Sequence, residues 1–385
     1  MPPPRPAPAR RQSPAAGVAV LVAALLAACS APGPVSEPHG LGPSEARALV
    51  ARLLPDRVRD KPGWAADIHA ALSAQELPST PAHLCAVMAV AEQESGFQAD
   101  PPVPGLAGIA RQEIDRRADR AGVPALAVRA ALALKSPDGR SYAERLDAVK
   151  TERELSVIFE DFIGMVPLGK TFLADSNPVR TGGPMQVSIA FAEAQVRQRR
   201  YPYELKDSVR HEVFTRRGGL YFGAAHLLDY RGPYEQMIFR FADFNAGRWA
   251  SRNAGFQAAL ALASGLPVTP DGDLLPHGGG AAAKAAGETE RAAYSLAGRL
   301  GLDEAAMRRD LARGDEPGFE KTVLHQRVFA YAERLERRAL PRAVLPRIDL
   351  QSPKITRKLS TEWFARRVDE RYRRCLARAE GAAND

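Results

Sequence analysis

Residues 79–97, STPAHLCAVMAVAEQESGF, constrain the fold most. Thr80 stands where a side-chain oxygen caps a helix, and Pro81 fits the first helical position. Gly96 follows as a stop signal, so the pattern predicts one helix from Pro81 to about Ser95. At roughly 100° per residue, Leu84, Val87, Val90 and Ala91 share one face. Glu94 continues that apolar face one turn further on, whereas Glu92 falls roughly 160° away from it. The chain must therefore bury most of this helix and accommodate a carboxyl group at its end. Apolar surroundings disfavour the charged form of such a group and raise its pKa, which suits a general acid near neutral pH. The competing reading is an arginine partner for Glu94.

Similar punctuation recurs along the chain. Ser44 is expected to cap a helix from Glu45, and another helix is expected over Trp64 to Gln75. Ser141 with Glu144 and Thr151 with Glu154 have capping-box spacing within a segment, 105–170, that reads as helical throughout. Asp175 to Ser188 (DSNPVRTGGPMQVS) is turn-rich and is expected to hold a small hairpin or an irregular loop. Gly218 and Gly219 read as a helix break. Residues 263–290 read as a flexible loop, and a basic helix ends the chain. Ala-rich stretches interspersed with Arg and Glu make the fold mainly α.

The first residues form a different kind of segment. Arg5, Arg10 and Arg11 precede a short apolar run, Val18 to Leu26, and then Leu26-Ala27-Ala28-Cys29. The run is too short for an ordinary membrane span. The sequence resembles a bacterial lipobox, which implies a signal peptide over 1–28 and lipidation of Cys29. With Ser30 next, it implies the periplasmic face of the outer membrane, reached through a lipid anchor. Residues 29–44 then read as a tether. Loss of the three arginines would reduce the net charge of +8 to about +5. That excess is compatible with an anionic cell-wall polymer and too scattered to indicate nucleic acid. In an oxidising compartment Cys85 and Cys375 are expected to pair, the alternative being two buried thiols.

Three short motifs occur in order: Glu94-Ser95-Gly96-Phe97, Gly182-Gly183-Pro184-Met185-Gln186, and Ala242-Asp243-Phe244-Asn245-Ala246-Gly247. They resemble the E-S-x-F, G-L-M-Q and A-Y-N-x-G stretches of lysozyme-like lytic transglycosylases. NPVRTGGPMQVS and SPKITRKL…EWFARRVDERYRRC also resemble an uncharacterised family of Gram-negative lipoproteins. The first resemblance implies a lysozyme-like domain of the goose-type or soluble lytic transglycosylase kind. It would span 45–340, with a helical insertion at about 105–175 and a C-terminal helical extension at 341–385. It implies Glu94 as the single acid/base that cleaves the MurNAc–GlcNAc bond of peptidoglycan and leaves 1,6-anhydro ends. Ser95, Met185, Gln186, Phe244, Asn245 and Gly247 would bind substrate. Pro184 and Phe244 depart from the family's Leu and Tyr, and Tyr221, Tyr230, Tyr234 and Tyr331 are candidates to supply the missing hydroxyl.

Two other functions fit the same residues. A hydrolytic muramidase would need a second carboxylate, for which Asp175 is the first candidate and Asp100 the next. A non-catalytic peptidoglycan-binding lipoprotein would keep a degenerate cleft. The seven histidines lack the spacing of metal ligands, so no metal and no cofactor is expected.

Overall fold

The computed structural model describes residues 40–165, 171, 173–276, 286–350 and 358–381. Cys29, the signal segment, most of the expected tether and residues 277–285 of the expected loop lie outside the described residues. The described chain is mainly helical, with two hairpins of two-residue strands.

Helices α1 (Pro43–Leu53), α2 (Lys61–Ala74) and α3 (Pro81–Ser95) open the fold. Helix α1 begins earlier than expected. Gly42 is its cap and Ser44 lies inside the helix, because the Glu45 carboxylate accepts the Gly42 N–H at 3.0 Å. Thr80 caps α3 by accepting the His83 N–H, and Gly96 ends it in the left-handed conformation at φ 58°. Helices α4 (Leu106–Arg120), α5 (Ala125–Ala133), α6 (Tyr142–Ala148) and α7 (Glu152–Gly164) follow, so turns divide the segment read as continuously helical. Both capping boxes form, at the starts of α6 and α7.

Strands β1 (Thr181–Gly182) and β2 (Val187–Ser188) pair antiparallel, Thr181 opposite Ser188, and lead into α8 (Ile189–Gln198) and α9 (Val209–Val213). Next comes α10 (Arg216–Leu228), and here the expected helix break is absent: Gly218 and Gly219 lie inside it. A Cβ on Gly219 would sit 2.3 Å from the Pro184 ring, and one on Gly218 would sit 2.1 Å from the Glu212 carbonyl. The glycines admit the hairpin and the α9 turn against the helix, at the usual propensity cost of glycine in a helix.

Helices α11 (Met237–Ala246), α12 (Ala250–Ser264), α13 (Glu288–Ser295), α14 (Ala297–Leu300), α15 (Glu304–Leu311) and α16 (Val323–Glu336) come next. Strands β3 (Asp349–Leu350) and β4 (Leu359–Ser360) and helix α17 (Thr361–Gly381) complete the described chain. Residues 265–276 are pinned where a flexible loop was expected. Gln257 bonds Asp271, the Asp273 carbonyl and the Gly272 N–H, and Val268 and Leu274 are buried.

The buried apolar residues among the described positions fall into three clusters. The first combines α1–α3, α10 and α11 with Phe364, Ala365, Val368 and Cys375 of α17. The second is built from residues 256–340 alone, and the third from Leu106 to Ile158 within the expected insertion. Helix α17 packs against α3 and α11, and a Cys85–Cys375 disulfide joins it to α3. The aromatic stripe of the basic terminal helix is thus packing surface: Tyr372 meets Phe241 edge-on at 5.6 Å between ring centroids.

Candidate active site

The end of α3 is held from both sides. The Ser95 hydroxyl donates to the Ala91 carbonyl at 2.9 Å and accepts the Gln98 N–H at 3.2 Å. Phe97, at φ 65°, is buried edge-on against Trp64. Ser95 therefore helps to fix its own helix end. Glu92 pairs with Arg57 at 3.0 Å and approaches Arg371 of α17 at 3.9 Å. Glu94 forms no ion pair among the described residues, so the arginine expected by the competing reading is not there. Burial pushes its carboxyl up to about 7, and the charge of Glu152 adds to that shift. Its place in the last turn of α3, near the negative end of the helix dipole, acts in the same direction.

Glu152 was not singled out in the sequence. It is the first residue of α7, directly after the cap Thr151, and is buried. Thr151 also donates to Asp100 at 2.9 Å, and burial raises the Asp100 carboxyl. The start of α7 thus brings two carboxyl-bearing positions, Asp100 and Glu152, to the end of α3. Asp175, the first candidate for a second carboxylate, is exposed in a 3-10 turn, and its charge acts on Arg210. The neighbour of Glu94 is Glu152 instead.

The second motif forms the turn of the hairpin. Gly183, at φ 74°, must lack a Cβ, since one would sit 2.1 Å from the Val213 carbonyl. Met185 is fully buried, against Gly223 of α10. Gln186, at φ 50°, accepts from the Thr181 hydroxyl at 3.2 Å and donates to the Gly183 carbonyl at 3.4 Å. Its amide braces the turn. Thr181 and Glu152 line one cavity, which relates the hairpin to the start of α7.

The third motif ends α11. Phe244 packs on half-buried His226, with ring centroids 5.1 Å apart, and desolvation lowers that imidazole to about 4. Asn245 accepts from the Thr361 hydroxyl of α17 at 2.8 Å, and Gly247, at φ 111°, makes the turn. Phe244 thus packs against α10, and the Asn245 carbonyl oxygen is engaged with α17. The structure gives neither a contact with Glu94. The hydroxyls of Tyr230 and Tyr234 both go to buried Asp243, at 2.9 and 2.6 Å. Asp243 also accepts the N–H groups of Trp249 and Ser251. It is the hub of the α11–α12 turn, another residue whose role its sequence neighbourhood did not reveal. Asp243→Asn is expected to cost about 1–3 kcal/mol, because one oxygen's acceptor sites disappear from a buried network. Chemical denaturation of the two proteins checks this.

The chain belongs to the family described as Protein of unknown function (DUF1615). The family model matches residues 57–378. The uncharacterized protein YaiW of Escherichia coli (strain K12) is 49% identical over 366 residues, 95% of this chain and 99% of that protein. No solved structure matches the chain. The DUF1615 region includes Cys85 and Cys375, Glu94, Glu152, the hairpin and the α11–α12 turn. Among its described residues, no group of three or more His, Cys, Asp or Glu side chains is arranged to hold a metal ion.

Proposed function

We propose that the protein is a peptidoglycan lytic transglycosylase on a lysozyme-like helical core, held at the outer membrane by lipid on Cys29. The supporting observation is Glu94: partly buried, without an ion pair among the described residues, and with its carboxyl raised to about 7. Such a group is protonated in much of the population at neutral pH and so can act as an acid. Glu94 would donate its proton to the oxygen bridging MurNAc and GlcNAc as the C1–O bond breaks. It would then take the proton of the muramyl C6 hydroxyl as that oxygen bonds to C1. The proton balance closes on one residue, and no water enters the product. A negative charge on Glu152 would stabilise the oxocarbenium-like transition state electrostatically.

Glu152 also favours a second reading, hydrolysis, in which it rather than Asp175 would activate water. The two readings differ in what Glu152→Gln does. With transglycosylation, cleavage survives. Removing the neighbouring charge lowers the Glu94 pKa, so the fall in rate on the alkaline side begins at lower pH. With hydrolysis, the variant is as inactive as Glu94→Gln. The test is release of soluble fragments from purified peptidoglycan by protein lacking residues 1–29, followed from about pH 5 to about pH 9. The wild-type rate should fall as pH rises through about 7. Absence of release by the wild type across that range would overturn the enzymatic reading in favour of a binding lipoprotein.

A further inference from the structure

A cavity of about 600 Å³ lies inside the α4–α7 segment, with Ile109, Ile114, Val128, Leu132, Ile158 and Phe162 among its walls. The volume is within the range of small-molecule sites, about 300–1,000 Å³. Helix α5 contributes to the wall although none of its residues is buried. Leu126 on this helix is 72% exposed, and the flanking Val123 and Leu134 are also exposed. A short helix left this open beside an apolar cavity is one that would gain burial if the cavity were filled.

Two polar features indicate the character of a ligand. Tyr142 lines the cavity, and its hydroxyl is buried with no hydrogen-bond partner. A buried hydroxyl left unpaired is costly, and a ligand oxygen would satisfy it. Arg116, Arg117 and Arg180 also line the cavity. Arg116 and Arg117 share Glu113, and Arg117 also bonds the Ser176 carbonyl. Arg180 bonds the Asp175 carbonyl and forms no ion pair among the described residues, so its charge is free to meet an anion. The walls are mainly apolar, with Glu113 held by Arg116 and Arg117 and Glu152 lying on the α7 side. Among the described residues, the Arg180 cation there has no ion pair and the Tyr142 hydroxyl no hydrogen-bond partner.

We propose that this cavity binds one long hydrocarbon chain bearing an anionic head group, that is, a fatty-acid-like amphiphile. The chain lies among the aliphatic walls, the head group meets Arg180, and Tyr142 bonds an oxygen of the ligand. The proposal does not depend on the chemistry of Glu94.

The test titrates the full-length protein with a fluorescent long-chain fatty acid, competed by palmitate and by uncharged monopalmitoyl glycerol. Expected is saturable binding of one probe per chain, with palmitate competing about tenfold better than the glycerol ester. Ala131→Trp fills the cavity from α5 without disturbing a buried residue and should weaken both ligands by about tenfold or more. Arg180→Glu should weaken palmitate and leave the glycerol ester unchanged. Unaltered urea midpoints in both variants would exclude a general loss of fold. Absence of saturable binding, or affinities unchanged in Ala131→Trp, would overturn the proposal. So would binding seen only with anionic phospholipid vesicles, which would make the exposed leucines a membrane contact.

Discussion

Glu94→Gln is expected to lower the rate of glycan cleavage by about 10²–10⁴-fold, the usual contribution of a positioned general acid. Glutamine keeps the shape of the side chain and removes the transferable proton. The same change should stabilise the fold at high pH. The Glu94 carboxyl is raised in the folded state, from 4.5 to about 7. Between those values the folded protein binds more protons than the unfolded chain, so stability falls as pH rises through the window. The glutamate's favourable balance is complete below about 4.5 and lost above about 7. The span corresponds to at most ~3 kcal/mol, and Glu94→Gln should flatten that part of the stability–pH curve. Denaturant midpoints at about pH 5 and about pH 8 measure it. A wild-type protein equally stable at both values, with a variant parallel to it, would contradict the assignment.

Removing the Cys85–Cys375 disulfide should cost about 2–5 kcal/mol. The bond joins residues 290 positions apart, so it restricts the unfolded chain over most of its length. In the folded protein it holds α17 on α3, beside the Arg371–Glu92 approach and the Thr361–Asn245 hydrogen bond. Changing both cysteines to alanine avoids leaving a lone reactive thiol. Both sulfurs are buried, and the cavity left by the smaller side chains adds to the loss. Urea unfolding of the double variant beside the oxidised wild type gives the difference. Coincident transitions would show that α17 is held by packing alone.

Local signals in the sequence were read well where one or two side chains decide the backbone. Thr80, Pro81 and Gly96 fix α3 because capping oxygens and left-handed glycines act within a turn of their own position. The boxes at Ser141 and Thr151 form for the same reason. Gly218 and Gly219 were misread because their reason is distant: the Pro184 ring and the Glu212 and Val213 carbonyls occupy the space a side chain would take. The pinned turn at 265–276 depends likewise on Gln257 of another element.

The candidate site divides along the same line. The helical wheel placed Glu94 on the apolar face and Glu92 away from it, and each side chain meets a correspondingly different environment. The motif residues around them were read as sugar contacts. Met185, Ser95 and Phe244 also make contacts within the fold, by packing or with their own helix, which a short motif does not reveal. Glu152 was hidden by its neighbours, since Thr151 and Glu154 accounted for the helix start without it. Its importance arises only when α7 is brought to the end of α3. The same holds for Asp243, whose tyrosine partners come from the preceding loop.

The central claim is that Glu94 transfers a proton within the glycan without admitting water. Mass spectrometry of the new muramyl ends, made from purified peptidoglycan by protein lacking residues 1–29, tests it most directly. The account predicts ends one water lighter than a reducing sugar, and none of them from Glu94→Gln. Reducing ends, or anhydro ends that persist in Glu94→Gln, would contradict it.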